Sequence, residues 1–233
     1  MRSFAIGIAV AVVLATCVVA CGGDGGNESE AAAHPLTLSQ RVVNESDAPD
    51  SKPDPVETQQ TAHTLEDLRG WHYGGAPEID PRKLEELGFI AAIHDTRFFP
   101  KKPGGPHRRD VPHVRTLLGQ FKSKEAAVKA IDLLYEAALK PCPGKCAMSF
   151  EKIDVSGVPD AKGVRRYVTA ERLKELHDPG EPTDSYTIVF ADGPYTYNVE
   201  LFGRPGEVSQ EQLEEIVRKL HDRVEGAPPP GAP

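Results

Sequence analysis

Residues 185-SYTIVFADGPYTYNVELFG-203 contain the clearest strand pattern in the chain. Aromatic and aliphatic side chains occupy every second position from Tyr186 to Phe190, and again from Tyr195 to Leu201. This period of two is typical of β-strands, and an Asp-Gly pair between two such runs is a strong turn signal. The sequence therefore predicts a β-hairpin over 185–203, with the turn at Asp192-Gly193.

A helix is predicted directly after this hairpin. Ser209 and Gln212 have the spacing of a capping box, and Val208 is placed to pack on Leu213 as a hydrophobic staple. The apolar stripe that follows recurs every three or four residues, which predicts one buried helix face. Its members are Leu213, Ile216, Val217, Leu220 and Val224, and Gly226 ends the helix.

The residues upstream repeat the order of strands followed by a helix. Strands are predicted at 89–99, 111–121, 149–155 and 164–170, with a helix from Lys124 to about Leu139. Another short helix is predicted to begin at Asp80-Pro81 and to end at Gly88. The fold class is therefore α+β: an antiparallel sheet with helices packed on it, sandwich-like, in the order that a duplicated unit would give.

The N-terminus has the composition of a signal peptide. Arg2 precedes an apolar run, and the small residue Ala20 stands before Cys21. Residues 18–21, VVAC, resemble a bacterial lipobox. This resemblance implies cleavage before Cys21, with diacylglycerol on its thiol, an acyl chain such as palmitate on its amino group, and a location on the outer face of the cell membrane. The alternatives are an ordinary signal peptide cut elsewhere and an uncleaved anchor.

Charge and composition divide the rest of the chain. The net charge is −8, and residues 22–63 hold eight acidic but only two basic side chains. We predict a signal peptide over 1–20, a flexible acidic tether over 21–37, one extracytoplasmic domain over 38–226 and a Pro-rich tail over 227–233. An acidic chain of this kind does not favour nucleic-acid binding, which needs a basic surface.

The cysteine pair Cys142 and Cys146 is the strongest candidate for chemistry. Its CxxxC spacing resembles that of extracytoplasmic copper chaperones with a thioredoxin-like fold, which would imply metal or redox handling. In that family the pair precedes a helix, whereas this pair follows a predicted helix, whose C-terminal dipole raises a thiol pKa. Outside the cytoplasm a disulfide persists. We therefore predict a structural disulfide, and copper or redox handling stays as the alternative.

The most basic stretch is 97-RFFPKKPGGPHRRD-110, at the tip of a predicted hairpin. Lys101, Lys102, Arg108 and Arg109 are candidates for contacting anionic lipid or wall polymers. The alternative is a solvated loop whose lysines protect a strand edge from pairing.

Other catalytic and metal-binding patterns are absent from the sequence. It contains no HExxH, GxSxG or Gly-rich phosphate motif, so no metal, cofactor or catalytic residue is predicted. His94 with Asp95 is a weak metal candidate, and Tyr186, Tyr195 and Tyr197 are explained more simply by packing than by a sugar-binding pocket.

Several stretches together resemble a family of secreted lipoproteins of actinobacteria: residues 39–61, 141-PCPGKCAM-148, 158-VPDAKGVRR-166 and residues 184–212. The resemblance implies location and fold, and carries over no activity. We therefore expect a non-enzymatic binding or interaction module at the cell surface, held by its lipid, with a surface protein or an anionic wall or lipid partner. The alternatives are copper or redox handling through the cysteine pair and cell-wall hydrolysis.

Overall fold

The computed structural model describes residues 35–55, 57, 59–64, 67–68, 81–100, 112–139, 147–177 and 180–228. Within these ranges five helices are present: α1 (Leu38–Arg41), α2 (Pro81–Glu86), α3 (Lys124–Leu139), α4 (Ala170–Leu176) and α5 (Gln210–Val224). The strands are β1 (Lys52–Pro53), β2 (Gln60–Ala62), β3 (Phe89–Phe98), β4 (His113–Phe121), β5 (Ser149–Ile153), β6 (Lys162–Val168), β7 (Thr183–Asp192) and β8 (Tyr195–Gly203).

The eight described strands form one antiparallel sheet in the order β1-β3-β4-β8-β7-β6-β5, with β2 also pairing with β3. The predicted hairpin supplies β7 and β8 and lies near the middle, where β8 pairs with β4. The predicted α+β class, with helices on an antiparallel sheet, is confirmed.

The sheet is covered on both faces. On the first face, the stripe of α5 packs against alternate residues of the hairpin, including Ile188, Phe190 and Val199. On the second face, α3 packs against the residues between them, including Val189 and Ala191. Because successive side chains of a strand point to opposite faces, the central hairpin contributes to both layers.

The C-terminal helix has the cap that the sequence predicts. The Ser209 side chain accepts a hydrogen bond from the Gln212 backbone N–H at 3.3 Å, and the Gln212 side chain accepts one from the Ser209 N–H at 2.9 Å. Val208 and Leu213 are both buried in the same apolar cluster. Two otherwise unpaired N–H groups are thereby satisfied at the helix start.

Several sequence predictions are displaced by a few residues. Asp192 pairs with Tyr195, so the hairpin loop is Gly193-Pro194 rather than Asp192-Gly193. Gly193 has a φ of +53°, the positive value that the first loop position requires and that glycine adopts at little cost. The strand predicted at 164–170 lies at 162–168, because Thr169 caps α4 with its side chain instead. The strand predicted at 149–155 ends at Ile153.

No helix in the described ranges is both long and apolar enough to cross a membrane.

Candidate functional site

A cavity of about 270 Å³ lies beside α5 on the first face, and we call it the α5 cavity. The helical period places Gln212, Ile216 and Lys219 on the same side of α5, toward this cavity. Its apolar lining consists of Ala48, Pro49, Phe99, Pro112, Leu201, Val208 and Ile216, and its polar lining of Asp47, Glu207, Gln212, Glu215 and Lys219.

One wall of the α5 cavity is held in place by a buried ion pair. Arg223 of α5 binds both carboxylate oxygens of Asp47, through Nε at 3.0 Å and through Nη2, and Asp47 is 1% exposed. Arg223 Nη2 also donates to the Val42 carbonyl at 2.8 Å. The segment from Val42 to Ala48, which has no regular secondary structure, is therefore fixed against α5, and its last two residues, Asp47 and Ala48, line the cavity.

The rim of the α5 cavity is charged and solvated. Lys219 Nζ lies 2.7 Å from a Glu215 carboxylate oxygen, and both side chains are exposed. This hydrogen bond lowers the pKa of Glu215. A rim of this kind surrounding an apolar floor resembles the layout of protein-interaction hot spots, in which a polar ring excludes water from a central pocket.

Arg41 joins both ends of the domain to the sheet. Its fully buried guanidinium lies 4.0 Å above the ring of Tyr195 and donates to the hydroxyl of Tyr197 at 3.4 Å. It also donates to the carbonyls of Ala227 at 2.5 Å and Pro228 at 3.1 Å. Burial raises the pKa of Tyr197. These two tyrosines are therefore core residues, 1% and 0% exposed, and neither lines the α5 cavity.

The second face carries two neighbouring rows of side chains beyond α3. The first, the charged row, runs across four strands as Thr96, Arg115, Glu200 and Thr187. The second, the aromatic row, runs across six strands as Phe98, His113, Phe202, Ser185, Arg166 and Phe150. We call Arg115, Arg166, Thr187 and Glu200 the arginine cluster.

Within the arginine cluster, one carboxylate serves two guanidinium groups. Arg166 Nη2 donates to Glu200 Oε1 in a short contact and lies 3.4 Å from Thr187 Oγ1. Arg115 Nη1 is 3.9 Å from Glu200 Oε2. The Arg166 and Glu200 side chains are only 4% and 7% exposed, whereas Arg115 is 32% exposed. The cluster therefore has a buried end at Arg166 and a solvent-facing end at Arg115.

The arginine cluster contains more hydrogen-bond donors than acceptors. Among the described residues, Arg166 Nε and Nη1 and Arg115 Nε are buried and have no hydrogen-bond partner. Since Nε carries one proton and Nη1 two, three of the five N–H groups of Arg166 lack an acceptor. Buried donors without acceptors are rare in folded proteins and cost free energy.

His94 is next to the arginine cluster on β3. Burial lowers its pKa below the ordinary value of 6.5, and the positive charge of Arg115 lowers it further, against the opposing charges of Glu57 and Glu200. His94 and Asp95 point to opposite faces, since they are adjacent in a strand. The described residues include no group of three His, Cys, Asp or Glu side chains arranged to hold a metal ion.

The site residues predicted from the sequence lie outside the described residues. This holds for the lipidation residue Cys21, for the predicted disulfide between Cys142 and Cys146, and for the basic loop residues Lys101, Lys102, Arg108 and Arg109. The ends of that loop are described: the Phe99 N–H donates to the Pro112 carbonyl at 2.9 Å, and both residues line the α5 cavity.

The arginine cluster was not predicted from the sequence, although a signal for it is present there. Arg165 and Arg166 are adjacent in a strand, so one of them must point to each face of a sheet covered on both sides. Arg165 points to the first face, where its Nε and Nη2 donate to the two carboxylate oxygens of Asp184 at 2.9 and 2.8 Å. Glu200 gives the same signal, because it lies between the apolar Val199 and Leu201 of a central strand.

No protein-family model matches the chain, and the search of curated proteins gave no match. Among solved structures, the extracellular domain of PknH from Mycobacterium tuberculosis is similar, with 15% identity and a TM-score of 0.49. The similarity covers 80% of this chain and 94% of that domain. A similarity at this level transfers no residue's role from one chain to the other.

Proposed function

We propose that this chain is a lipid-anchored, extracytoplasmic interaction module without catalytic activity, and that its partner is a surface protein which inserts an apolar side chain into the α5 cavity. The lipobox-like residues at Cys21 support the anchoring. The α5 cavity, an apolar floor within a charged rim, is the observation that carries the binding function.

The size of the cavity favours a protein side chain over a free small molecule. Pockets for drug-sized ligands have volumes of about 300–1,000 Å³. The α5 cavity, at about 270 Å³, is below that range and suits one anchoring side chain of a partner. Burying one large apolar side chain contributes about 1.5–3 kcal/mol, which is the magnitude of a typical interface hot spot.

The rim supports the same proposal. Gln212, Glu215 and Lys219 stand on successive turns of α5 along one side of the cavity. In an interface these side chains would form the polar border around the inserted group and exclude water from it. A rigid helix that presents both the floor residue Ile216 and the rim gives the partner a surface that needs little rearrangement.

Photo-crosslinking in intact cells of the host tests the proposal. A photoreactive amino acid is placed at Gln212, on the cavity rim, with the lipid anchor retained. The matched control carries it at Arg218, which is exposed on α5 but does not line the cavity. We expect a reproducible protein adduct at Gln212 and none at Arg218. Equal labelling at the two positions, or no adduct at Gln212, would contradict the assignment of the cavity.

Anchoring is tested separately. Replacing Cys21 with serine removes the thiol that would take the diacylglycerol. The wild-type chain is expected to incorporate labelled fatty acid and to sediment with membranes, while Cys21→Ser does neither. Acylation that survives this substitution would exclude Cys21 as the lipidation site.

A further inference from the structure

The arginine cluster lies on the opposite face of the sheet from the α5 cavity, and the proposed function does not use it. Its donor groups point to a missing acceptor. Arg166 directs two N–H groups to Thr187 and Glu200, and its remaining three have no acceptor among the described residues. The buried Nε–H of Arg115 also has no acceptor among the described residues.

We propose that the arginine cluster binds the carboxylate of a small organic acid. Arg115, Arg166 and Glu200 together carry one net positive charge, and the Glu57 carboxylate, which accepts from the Thr96 hydroxyl of the charged row at 3.5 Å, opposes any further negative charge, so a monoanion suits the cluster. A dianionic phosphate would instead leave an excess negative charge beside Glu200, at a position that is 7% exposed. The two oxygens of a carboxylate can accept charge-assisted hydrogen bonds from N–H groups of Arg166 and Arg115 that lack acceptors.

The aromatic row indicates the body of the ligand. Phe202 and Phe150 are half-buried and lie on either side of Ser185 and Arg166 in this row. Ser185 lies between Phe202 and Arg166 in this row, and its small side chain leaves space above the sheet. An apolar group attached to a carboxylate at Arg166 would therefore lie against the rings of Phe202 or Phe150. The chemical class is therefore a monocarboxylate with an aromatic or aliphatic body.

Access to the cluster is from the side of Arg115. Its side chain is one-third exposed, whereas Arg166 is almost fully buried. The donors of Arg166 that lack acceptors are covered in this conformation. Binding therefore includes a local rearrangement that opens these donors, after which the carboxylate bridges the two guanidinium groups.

Calorimetric titration of the complete mature chain, made soluble by Cys21→Ser, tests this inference with phenylacetate as the probe. Phenylacetamide has the same shape without the charge, and phenyl phosphate has a second negative charge. We expect saturable binding of phenylacetate, no binding of phenylacetamide, and at least tenfold weaker binding of phenyl phosphate. Equal affinity for the amide, or no saturable binding of phenylacetate, would overturn the proposal and leave ordered water as the acceptor.

Two variants separate a binding role from a structural one. Arg166→Lys keeps the charge but loses the Nε and Nη1 donors that lack acceptors, and we expect it to weaken phenylacetate binding at least tenfold while circular dichroism stays unchanged. Glu200→Gln raises the net charge of the cluster by one, so the preference should move toward phenyl phosphate. A matched control is Lys219→Met at the α5 cavity, which should leave both affinities unchanged. Unchanged affinity in Arg166→Lys would also overturn the proposal.

Discussion

Replacing Glu200 with glutamine should destabilise the protein far more than the same change at an exposed ion pair. The substitution keeps the size of the side chain but removes the charge shared by Arg166 and Arg115. Breaking a buried ion pair by removing one partner costs about 3–5 kcal/mol, because the other charge stays buried without compensation. The amide oxygen of glutamine still accepts one hydrogen bond from Arg166, so we expect a loss near the lower end, about 3 kcal/mol.

Two comparisons give this prediction its controls. Glu215→Gln removes one partner of the exposed pair with Lys219, whose side chains are 56% and 38% exposed. Exposed pairs one helical turn apart contribute about 0.3–0.5 kcal/mol, so that variant should remain close to wild type. The double variant R166M/E200M removes both buried charges and the unpaired donors of Arg166, and should lose less than Glu200→Gln alone.

Urea unfolding followed by circular dichroism measures all three free energies. The slope against urea concentration must stay constant among the variants, because a changed slope indicates a changed unfolded state or loss of two-state behaviour. Two results would refute the reasoning: a Glu200→Gln loss no greater than that of Glu215→Gln, or a double variant at least as destabilised as Glu200→Gln.

Three further predictions follow from single contacts. Ser209→Ala removes the cap of α5 and should lower the free energy of unfolding by about 1 kcal/mol, whereas Ser209→Asp, which can still accept the Gln212 N–H, should stay close to wild type; urea midpoints decide this. His94 has a lowered pKa in the folded protein, so below pH 6.5 the unfolded chain takes up its proton first and stability falls as pH falls. Between pH 6.5 and 5.5 the His94→Gln variant should lose less stability than wild type, by up to about 1.4 kcal/mol per pH unit, and parallel pH profiles would contradict the assignment. Arg41→Met leaves Asp192, 3.7 Å from the guanidinium, without this partner and should cost about 3 kcal/mol. Hydrogen exchange should then quicken at the Leu36 N–H, which is bonded to the Pro228 carbonyl, and unchanged protection there would contradict the role of Arg41 in holding the two ends.

The sequence predicted the elements whose signals are local. Helix α5 is specified within its own residues by the capping box of Ser209 and Gln212 and by its apolar stripe. The β7–β8 hairpin is specified by alternation, and α3 begins and ends where predicted, at Lys124 and Leu139. In each case a few neighbouring residues contain both the period and the end signal, so no distant contact is needed.

Signals near the N-terminus were weaker. Strand β1 contains only Lys52 and Pro53, and β2 only Gln60 to Ala62, which is too short for an alternation to be recognised. Both pair with β3 at the edge of the sheet, where Pro53 is tolerated because an edge strand leaves some N–H positions unused. That β1 and β2 belong to the sheet is evident only from their pairing with the long strand β3, because their own Pro- and Asp-rich sequence carries no strand pattern.

By itself the sequence determined the α+β class, the central hairpin and the two long helices, because period and capping act within a few residues along the chain. The tertiary structure decided which strands are neighbours, and so which side chains meet. The pairing of β4 with β8 brings Arg115 beside Glu200, although 84 residues separate them in the chain. The pairings β6–β7 and β7–β8 bring Arg166 to the same carboxylate. Long-range pairing depends on the packing of the whole sheet, and the candidate carboxylate site is a product of that packing.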